Sequence, residues 1–508
     1  MVNTIALRAR RALSKRVGRR SVPLVAPFAI AAAALVAGCS LAPDYKVPPS
    51  PVAAEYRTTG PWVSAKPADQ LSRDGWWQMY GDTRLDDLEK QLLANNTDLQ
   101  AAYAHYLQAT AFVEQVSANL YPHLSANAAP LRERQSATRP LRAGGPDNYN
   151  SITLGAELDY DLDLWGRVRD TVKAGKYEAL ASQADLASVQ LSLQIQLADS
   201  YIQLRGLDQQ THLLQQTVVA FTKALQLTQA LHGGGIVAGL DVARAQTQLS
   251  SAQSQLSQNL AQRALLEHAI AVLVGTSASE FTLAESTTDI PLPQIPLGVP
   301  SVLLQRRPDI AAAERRVAEA NAKIGVARAA YFPSITLSAQ GGLQSSVYAS
   351  FFSAPNFFWA IGPQLAQYIF DGGFRRGQLD AAKAATDEAG ARYRGVVLSA
   401  FQQVEDNLSL LSDLGTALQQ QRDAAEAAEH ALSLATTQYK QGAVGYLDVV
   451  TAQTTALDAE RASIQIETRQ LSANVQLIHA LGGGWSASEL EHAATAPALV
   501  AAATPAAK

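Results

Sequence analysis

Of the 508 residues, one is cysteine and two are methionine, and aromatic residues make up 7%. The single thiol, Cys39, excludes an internal disulfide. Beyond the N-terminal region no run of roughly 18 or more apolar residues occurs, which excludes a transmembrane helix. No glycine-rich loop ends in Gly-Lys-Ser or Gly-Lys-Thr, so the usual phosphate cradle is missing. The histidines (His105, His123, His212, His232, His268, His430, His479 and His492) form no pair at the helical spacing of metal ligands. Asp159-x-Asp161-x-Asp163 opens like a calcium loop, but that loop needs glycine at its sixth position and Leu164 stands there. Basic charge is also scarce. Residues 1–38 hold seven bases (Arg8, Arg10, Arg11, Lys15, Arg16, Arg19, Arg20) and no acid. Without them 41 − 7 = 34 bases face 45 acids, a net charge near −11 that disfavours nucleic acid as a partner.

What the chain does contain is a copy of itself. Gly235-Ile-Val-Ala-Gly-Leu-Asp241-Val-Ala-Arg-Ala-Gln-Thr247 returns as Gly442-Ala-Val-Gly-Tyr-Leu-Asp448-Val-Val-Thr-Ala-Gln-Thr454. The offsets are 448 − 241 = 207 and 482 − 275 = 207 for Val-Gly275 and Leu-Gly482, against 333 − 122 = 211 for the paired prolines. One small insertion explains the difference. The unit is far longer than a solenoid repeat of roughly 20–50 residues, so the chain is a duplicated module with two interlocked halves.

The N-terminus explains the cysteine. A basic segment leads into Val22–Ala37, interrupted by Pro23 and Pro27, and then Val36-Ala-Gly-Cys39-Ser40. Small residues before a cysteine form the lipobox of bacterial lipoproteins, so residues 1–38 read as a lipoprotein signal peptide and Cys39 as the lipidated residue. The alternative is an ordinary signal with an incidental cysteine. Residues 39–80, rich in proline to residue 67, read as an extended tether. From Leu85 to Ala118 the periodicity predicts one helix, stopped by Pro122.

The period then changes. Ile152, Leu154, Ala156, Leu158, Tyr160, Leu162 and Leu164 alternate with Thr153, Gly155, Glu157, Asp159, Asp161 and Asp163. This predicts a strand with one apolar and one acidic face, paired with a strand at 123–136 in a hairpin of about 122–165. Such a strand is either half-buried against a core or part of a membrane barrel with its acidic stripe, Glu157, Asp159 and Asp161, toward water. Arg167 to about His232 then predicts one helix of roughly 100 Å, too long for a globular domain. A return helix follows from about Leu240 to Leu273. The first repeat spans 81–289, and the proline-rich strap 290–300 joins it to the second, 301–484. There the same plan predicts a helix at 301–330 and a hairpin of about 333–370, with a loop at 341–358 and a strand at 359–370. A helix at 374–440 and a return helix at 447–480 complete it. Residues 485–508 read as a disordered tail. Arg306-Arg307-Pro308-Asp309 reads as a helix start with solvated charges. Asp241 and Asp448 have two compatible readings, as helix caps or as groups at the tip of a tube.

Together the lipobox, Trp76-Trp77, Pro122 and Pro333 at helix-to-strand junctions, Asp371-Gly-Gly373 and the paired Gly-x-Val-x-x-Leu-Asp-Val turns resemble the TolC/OprM-type outer-membrane factors, closest to the lipoprotein (NodT-like) branch of RND-type efflux systems. The resemblance runs from Cys39 to about Gly484. It implies a fold of mixed α and membrane β. In it, a homotrimer builds a 12-stranded transmembrane β-barrel, four strands per chain, continuous with a long periplasmic α-helical barrel. It implies no enzymatic activity, and no metal or cofactor beyond the covalent lipid on Cys39. The function implied is the outer-membrane channel of a tripartite efflux pump in a Gram-negative bacterium. Drugs or small solutes would arrive from an inner-membrane RND-type transporter through a periplasmic adaptor. A type I protein secretion duct and a non-channel lipid-tethered scaffold are the alternatives. The adaptor-contacting tips implied are Gly235, Val237, Leu240, Asp241, Gly442, Val444 and Leu447. A periplasmic aperture is implied at Leu447 and Asp448; Thr451 departs from that pattern and leaves one acidic ring rather than two.

Overall fold

A computed structural model of the chain describes residues 40–50, 57, 63–64, 75–136, 138, 146–297, 306–487 and 490. Cys39, the signal segment 1–38 and the end of the tail lie outside the described residues. The chain forms two compact units, one from residues 122–169 and 329–369, the other from residues 42–121, 170–328 and the segment from Phe370 onward.

The first unit is a four-stranded antiparallel sheet in the order β2-β3-β5-β6. Its strands are β2 (His123–Arg134), β3 (Asn148–Asp161), β5 (Ser334–Ser345) and β6 (Phe357–Ala366). Each repeat contributes a hairpin, and β3 pairs with β5 to join them, Leu158 opposite Ala339 and Leu154 opposite Leu343. At the seam Gly155 lies opposite Gly342, where a Cβ would come within 2.2 Å of the Leu154 carbonyl oxygen. The Phe358 ring covers the gap these glycines leave. Trp165 ties the hairpins again: its indole N–H donates to Pro333 O at 2.8 Å and its ring stacks on Phe332 at 4.6 Å.

The second unit is helical. It holds α1 (Thr83–Asn95), α2 (Thr97–Ala118), α4 (Gly239–Leu273), α5 (Pro308–Ala329), α6 (Phe374–Lys440) and α7 (Tyr446–Ala480), with α3 (Arg167–Gly233) running on from the sheet unit. The repeat is matched to the residue. Both ends of α3 and α6 differ by 207 (374 − 167, 440 − 233), as do those of α4 and α7 (446 − 239, 480 − 273). The starts of α2 and α5, and of β2 and β5, differ by 211 (308 − 97, 334 − 123). The four-residue insertion therefore lies in the first hairpin. Two short parallel strands, β1 (Val63–Ser64) and β4 (Pro296–Leu297), join the N-terminal segment to the proline-rich strap. Among the described residues no helix is long and apolar enough to cross a membrane.

A buried lock recurs in both halves. Asn96 and Arg307 occupy equivalent positions, 307 − 96 = 211. Asn96 Nδ2 donates to Leu273 O at 2.8 Å, and Arg307 Nη1 donates to Ala480 O at 3.1 Å. Each thus satisfies the carbonyl that ends its return helix. Beside each lock sits a glycine at positive φ, Gly275 and Gly482, against the carbonyls of Asn95 and Arg306. Arg307 also pairs with Asp309 at 2.7 Å and donates to Gln403. It is only 4% exposed, which corrects the solvated reading of this helix start. A second buried network (Arg205, Asp208, Arg263, Glu267) holds residues 283–286 onto α3 and α4, with Arg263 Nε donating to Asp208 at 2.6 Å. Elsewhere burial, with Asp86 adding, pushes the Glu89 carboxyl well above the ordinary carboxylate range.

Several sequence expectations change. The helix at 85–118 is two helices, because Asn96 leaves the helical conformation and caps α2 through its side chain on Leu99 N at 2.8 Å. The loop set at 341–358 is shorter, since β5 continues to Ser345 and β6 begins at Phe357. Asn356 fastens that loop by donating to Ser350 O and Phe351 O. The strand set at 359–370 ends at Ala366. The tether is extended but seated: Asn321 donates to Pro43 O, Tyr45 donates to Glu314, and Arg57 N donates to Glu405. Trp76, Trp77 and Tyr80 already belong to the core. The tail is ordered at its start, where Trp485 and Leu490 pack with Ala184, Ala187 and Ala312.

Two measurements check these contacts. Gly482 and Gly81 both have positive φ, but only Gly482 faces backbone, 2.0 Å from the position of an added Cβ. Gly482→Ala is expected to cost about 2–4 kcal/mol and Gly81→Ala about 1, a contrast that thermal unfolding will resolve. The second concerns His479, whose imidazole is held below its ordinary value of 6.5 by burial first and then by Arg307. The folded state therefore resists a proton that the unfolded chain accepts. Stability should be unaffected above pH 6.5 and fall as pH drops below it; His479→Gln should flatten that decline.

Candidate functional site

The register makes the sheet two-faced. Residues directly opposite one another share a face. On one face lie Leu124, Ala126 and Ala128 of β2, Leu154, Ala156 and Leu158 of β3, Leu337, Ala339 and Leu343 of β5, and Phe357, Trp359, Ile361 and Leu365 of β6. Among the described residues nothing covers this face: Trp359 is 70% and Ile361 66% exposed. On the other face His123, Asp159 and Ser338 align, as do Ser125, Glu157 and Gln340, and Asp161 with Thr336 and Gln364. Of the acidic stripe, Asp159 accepts from Ser338 Oγ at 2.5 Å, and Asp161 accepts from Thr336 Oγ1 at 2.7 Å and pairs with Arg167 at 3.0 Å. Asp163, past the end of β3, accepts from Val168 N and Arg169 N at the start of α3. It belongs to the helix end, not to the stripe. Glu157 and Asp159, with Glu133 further along β2 opposite Tyr149, form no ion pair on this face among the described residues.

The sheet has two open edges. Among the described residues β2 and β6 each pair on one side only. Long unpaired edges beside an uncovered apolar face are unstable in a single soluble chain and are not tolerated in lipid.

The duplicated turns are built alike. Gly235 and Gly442 take positive φ, with Gly235 N on His232 O and Gly442 N on Tyr439 O. Ile236 N and Ala443 N reach back to Leu231 O and Gln438 O. Val237 and Val444 are half-buried behind them, while Leu240 and Leu447 are 58% and 52% exposed. Beneath the turns Phe221, Leu225 and Leu249 pack with Tyr446 and Val449, joining the halves. The return helices run side by side in the same direction, Gln248 donating to Thr454 at 3.1 Å and Arg461 to Gln255 at 3.0 Å.

Neither aspartate is the capping residue itself, since Ala238 and Gly445 precede the helices. Both stand at the third helical position. Asp448 Oδ2 accepts from Gly445 N at 3.2 Å, whereas Asp241 pairs with Arg244 at 3.3 Å. Arg244 is replaced by Thr451 in the second copy (451 − 244 = 207), and His232, whose Nδ1 meets Val237 O at 2.9 Å, by Tyr439 (439 − 232 = 207). One turn is thus neutralised within itself and the other is not. The aligned copies carry that signal in the pairs Arg244/Thr451 and His232/Tyr439.

An edge-open, two-faced hairpin sheet carried with paired helices this long defines a class: chains that complete a transmembrane barrel only in company. The family profile described as Outer membrane efflux protein matches residues 88–276 and 299–483. The chain belongs to the outer membrane efflux protein family. It is 33% identical over 454 residues to the probable efflux pump outer membrane protein TtgC of Pseudomonas putida, covering 89% of this chain and 94% of that one. It is 32% identical over 467 residues to the outer membrane protein OprJ of Pseudomonas aeruginosa, covering 91% and 96%. The solved outer-membrane channel OprN superimposes with a TM-score of 0.81 at 31% identity, covering 88% of this chain and all of that one.

Asp448 makes a single exposed backbone contact, so its loss as a cap should cost no more than about 1 kcal/mol. Asp448→Ala is expected to raise single-channel conductance in a planar bilayer with a small drop in melting temperature. Wild-type conductance with the same drop would leave it as a cap alone.

Proposed function

We propose that this chain is the outer-membrane exit duct of a tripartite efflux pump, passive and without catalytic activity of its own. The observation that carries this is the sheet: one face apolar and uncovered, the other polar, both edges open. Three copies joined β2 to β6 would close a 12-stranded antiparallel barrel, apolar outward and lined inside by Glu157, Asp159 and their polar neighbours. The strand order makes that joint antiparallel, since β2 and β6 run in opposite directions. Trp359 and Phe357 toward one end, and Tyr331, Phe332 and Tyr368 toward the other, supply the exposed aromatics that favour membrane interfaces.

The long helices of three copies form the conduit on the periplasmic side, with two turns per chain offered to a periplasmic adaptor. Leu240 and Asp241 and their copies Leu447 and Asp448 are the groups that meet it, and Leu447 with Asp448 narrows the aperture. Solutes enter from an inner-membrane RND-type transporter. Lipid on Cys39 adds a second attachment, and the barrel makes the larger contribution, because one acyl chain binds a membrane only marginally. The named efflux function of TtgC and the named channel OprN support small solutes as cargo over secreted protein.

Purified mature protein in a planar bilayer is expected to conduct, with a preference for cations. Reversal potentials should move toward neutrality in Glu157→Gln with Asp159→Asn. Deleting the chain should raise drug susceptibility and leave protein secretion unchanged. Absence of conductance would leave only a tethered scaffold, and lost secretion would favour a type I duct.

A further inference from the structure

A cleft of about 560 Å³ opens between α3, α4 and α7. It lies in the range of small-molecule sites, roughly 300–1,000 Å³. Each helix presents one stripe to it: Gln203, Leu207 and Gln210 from α3, Gln262 and Leu265 from α4, Gln465 and Arg469 from α7. Its floor is a close helix contact. Gly206 has no side chain, and a Cβ there would meet Thr468 Oγ1 at 2.3 Å, so α7 can sit directly on α3 below the opening.

The lining has an unusual chemistry for this protein. Leu265 turns its side chain to solvent, 68% exposed, and Leu207 and Leu266 are half-buried beside it. Gln210, Gln262 and Gln465 form no hydrogen bond among the described residues, so their carboxamides are free to donate and accept. No carboxylate lines the cleft. Arg469 has no acid within ion-pair distance among the described residues, whereas Arg205, Arg263, Arg307 and Arg422 are each paired. In a chain whose net charge is negative, an uncompensated guanidinium at the mouth of an acid-free, amide- and leucine-lined cleft is a local anion preference.

We infer that this cleft binds an amphipathic organic anion: a flat apolar body against Leu207 and Leu265, hydroxyl or carbonyl groups on the glutamines, and one carboxylate or sulfonate on Arg469. The site is separate from the barrel face and from the helix turns, so it can be present or absent whatever the conductance of the assembly.

Cholate is a suitable probe, with one hydrocarbon face, one hydroxylated face and a single carboxylate. Titration of the full mature protein in amphipol, with cholate below its micelle concentration, should show saturable binding at one site per chain. Arg469→Gln should weaken it by about tenfold or more. Cholate methyl ester, which lacks the charge, should bind the wild type as weakly as cholate binds Arg469→Gln, and should not distinguish the two proteins. Leu265→Trp, filling the cleft, should abolish binding; where that variant fails to fold, the ester comparison still decides. Absence of saturable binding, or equal affinity in wild type and Arg469→Gln, overturns the assignment. So does an assembly that excludes cholate and dissociates in Leu265→Glu, because the cleft is then covered by a second copy. Conductance measured in parallel separates failure of this site from failure of the duct.

Discussion

The structure depends on a deficit of backbone partners. Four strands cannot close on themselves, and lipid offers no donors or acceptors to an open edge. Among the described residues, β2 and β6 therefore present two long rows of unpaired groups beside an apolar face that stays open. Every solution requires another sheet of the same kind at each edge. The seam between β3 and β5 shows how closely the strands are fitted: Gly155 and Gly342 meet where no side chain has room, and Phe358 fills the space above them. The sheet is complete in detail and incomplete in extent.

The helical unit meets a different demand, to hold helices far longer than a globular core can surround. It does so by repeating one fastening. Asn96 and Arg307 each bind the carbonyl at the end of a return helix, and Gly275 and Gly482 allow the neighbouring backbone to come close. The amide is enough in the first copy. In the second, a guanidinium takes over and brings Asp309 and Gln403 with it, a change of charge within a conserved geometry. Buried charge of this kind must be paired or it costs several kcal/mol, and here each of the three Arg307 nitrogens has an acceptor.

Much of this was legible in the residues. The change from a period of 3.6 to one of 2 located the strands, and the absence of proline over 167–232 gave a helix whose observed end is one residue away. The paired motifs foretold the matched turns. Other features needed three dimensions. Asn96 looks like any helical residue until its side chain is seen capping α2. Asp163 continues the alternation in sequence but leaves the strand to satisfy the first amides of α3. Arg307 reads as surface charge because its burial depends on α6 and α7, far away in the chain. The Arg469 cleft could not be found from spacing, since three helices separated by up to 269 positions build it (472 − 203 = 269).

The agreement in length between α3 and α6 carries a rule for how such a chain can change. At 1.5 Å per residue, seven residues added to one long helix would carry its turn about 10 Å beyond the other. The Gln248–Thr454 and Gln255–Arg461 pairs would then slip out of step together. Lengthening is possible only in matched increments, in a long helix and its return helix of both halves at once, so duplication has made the span of this molecule a quantity inherited in pairs.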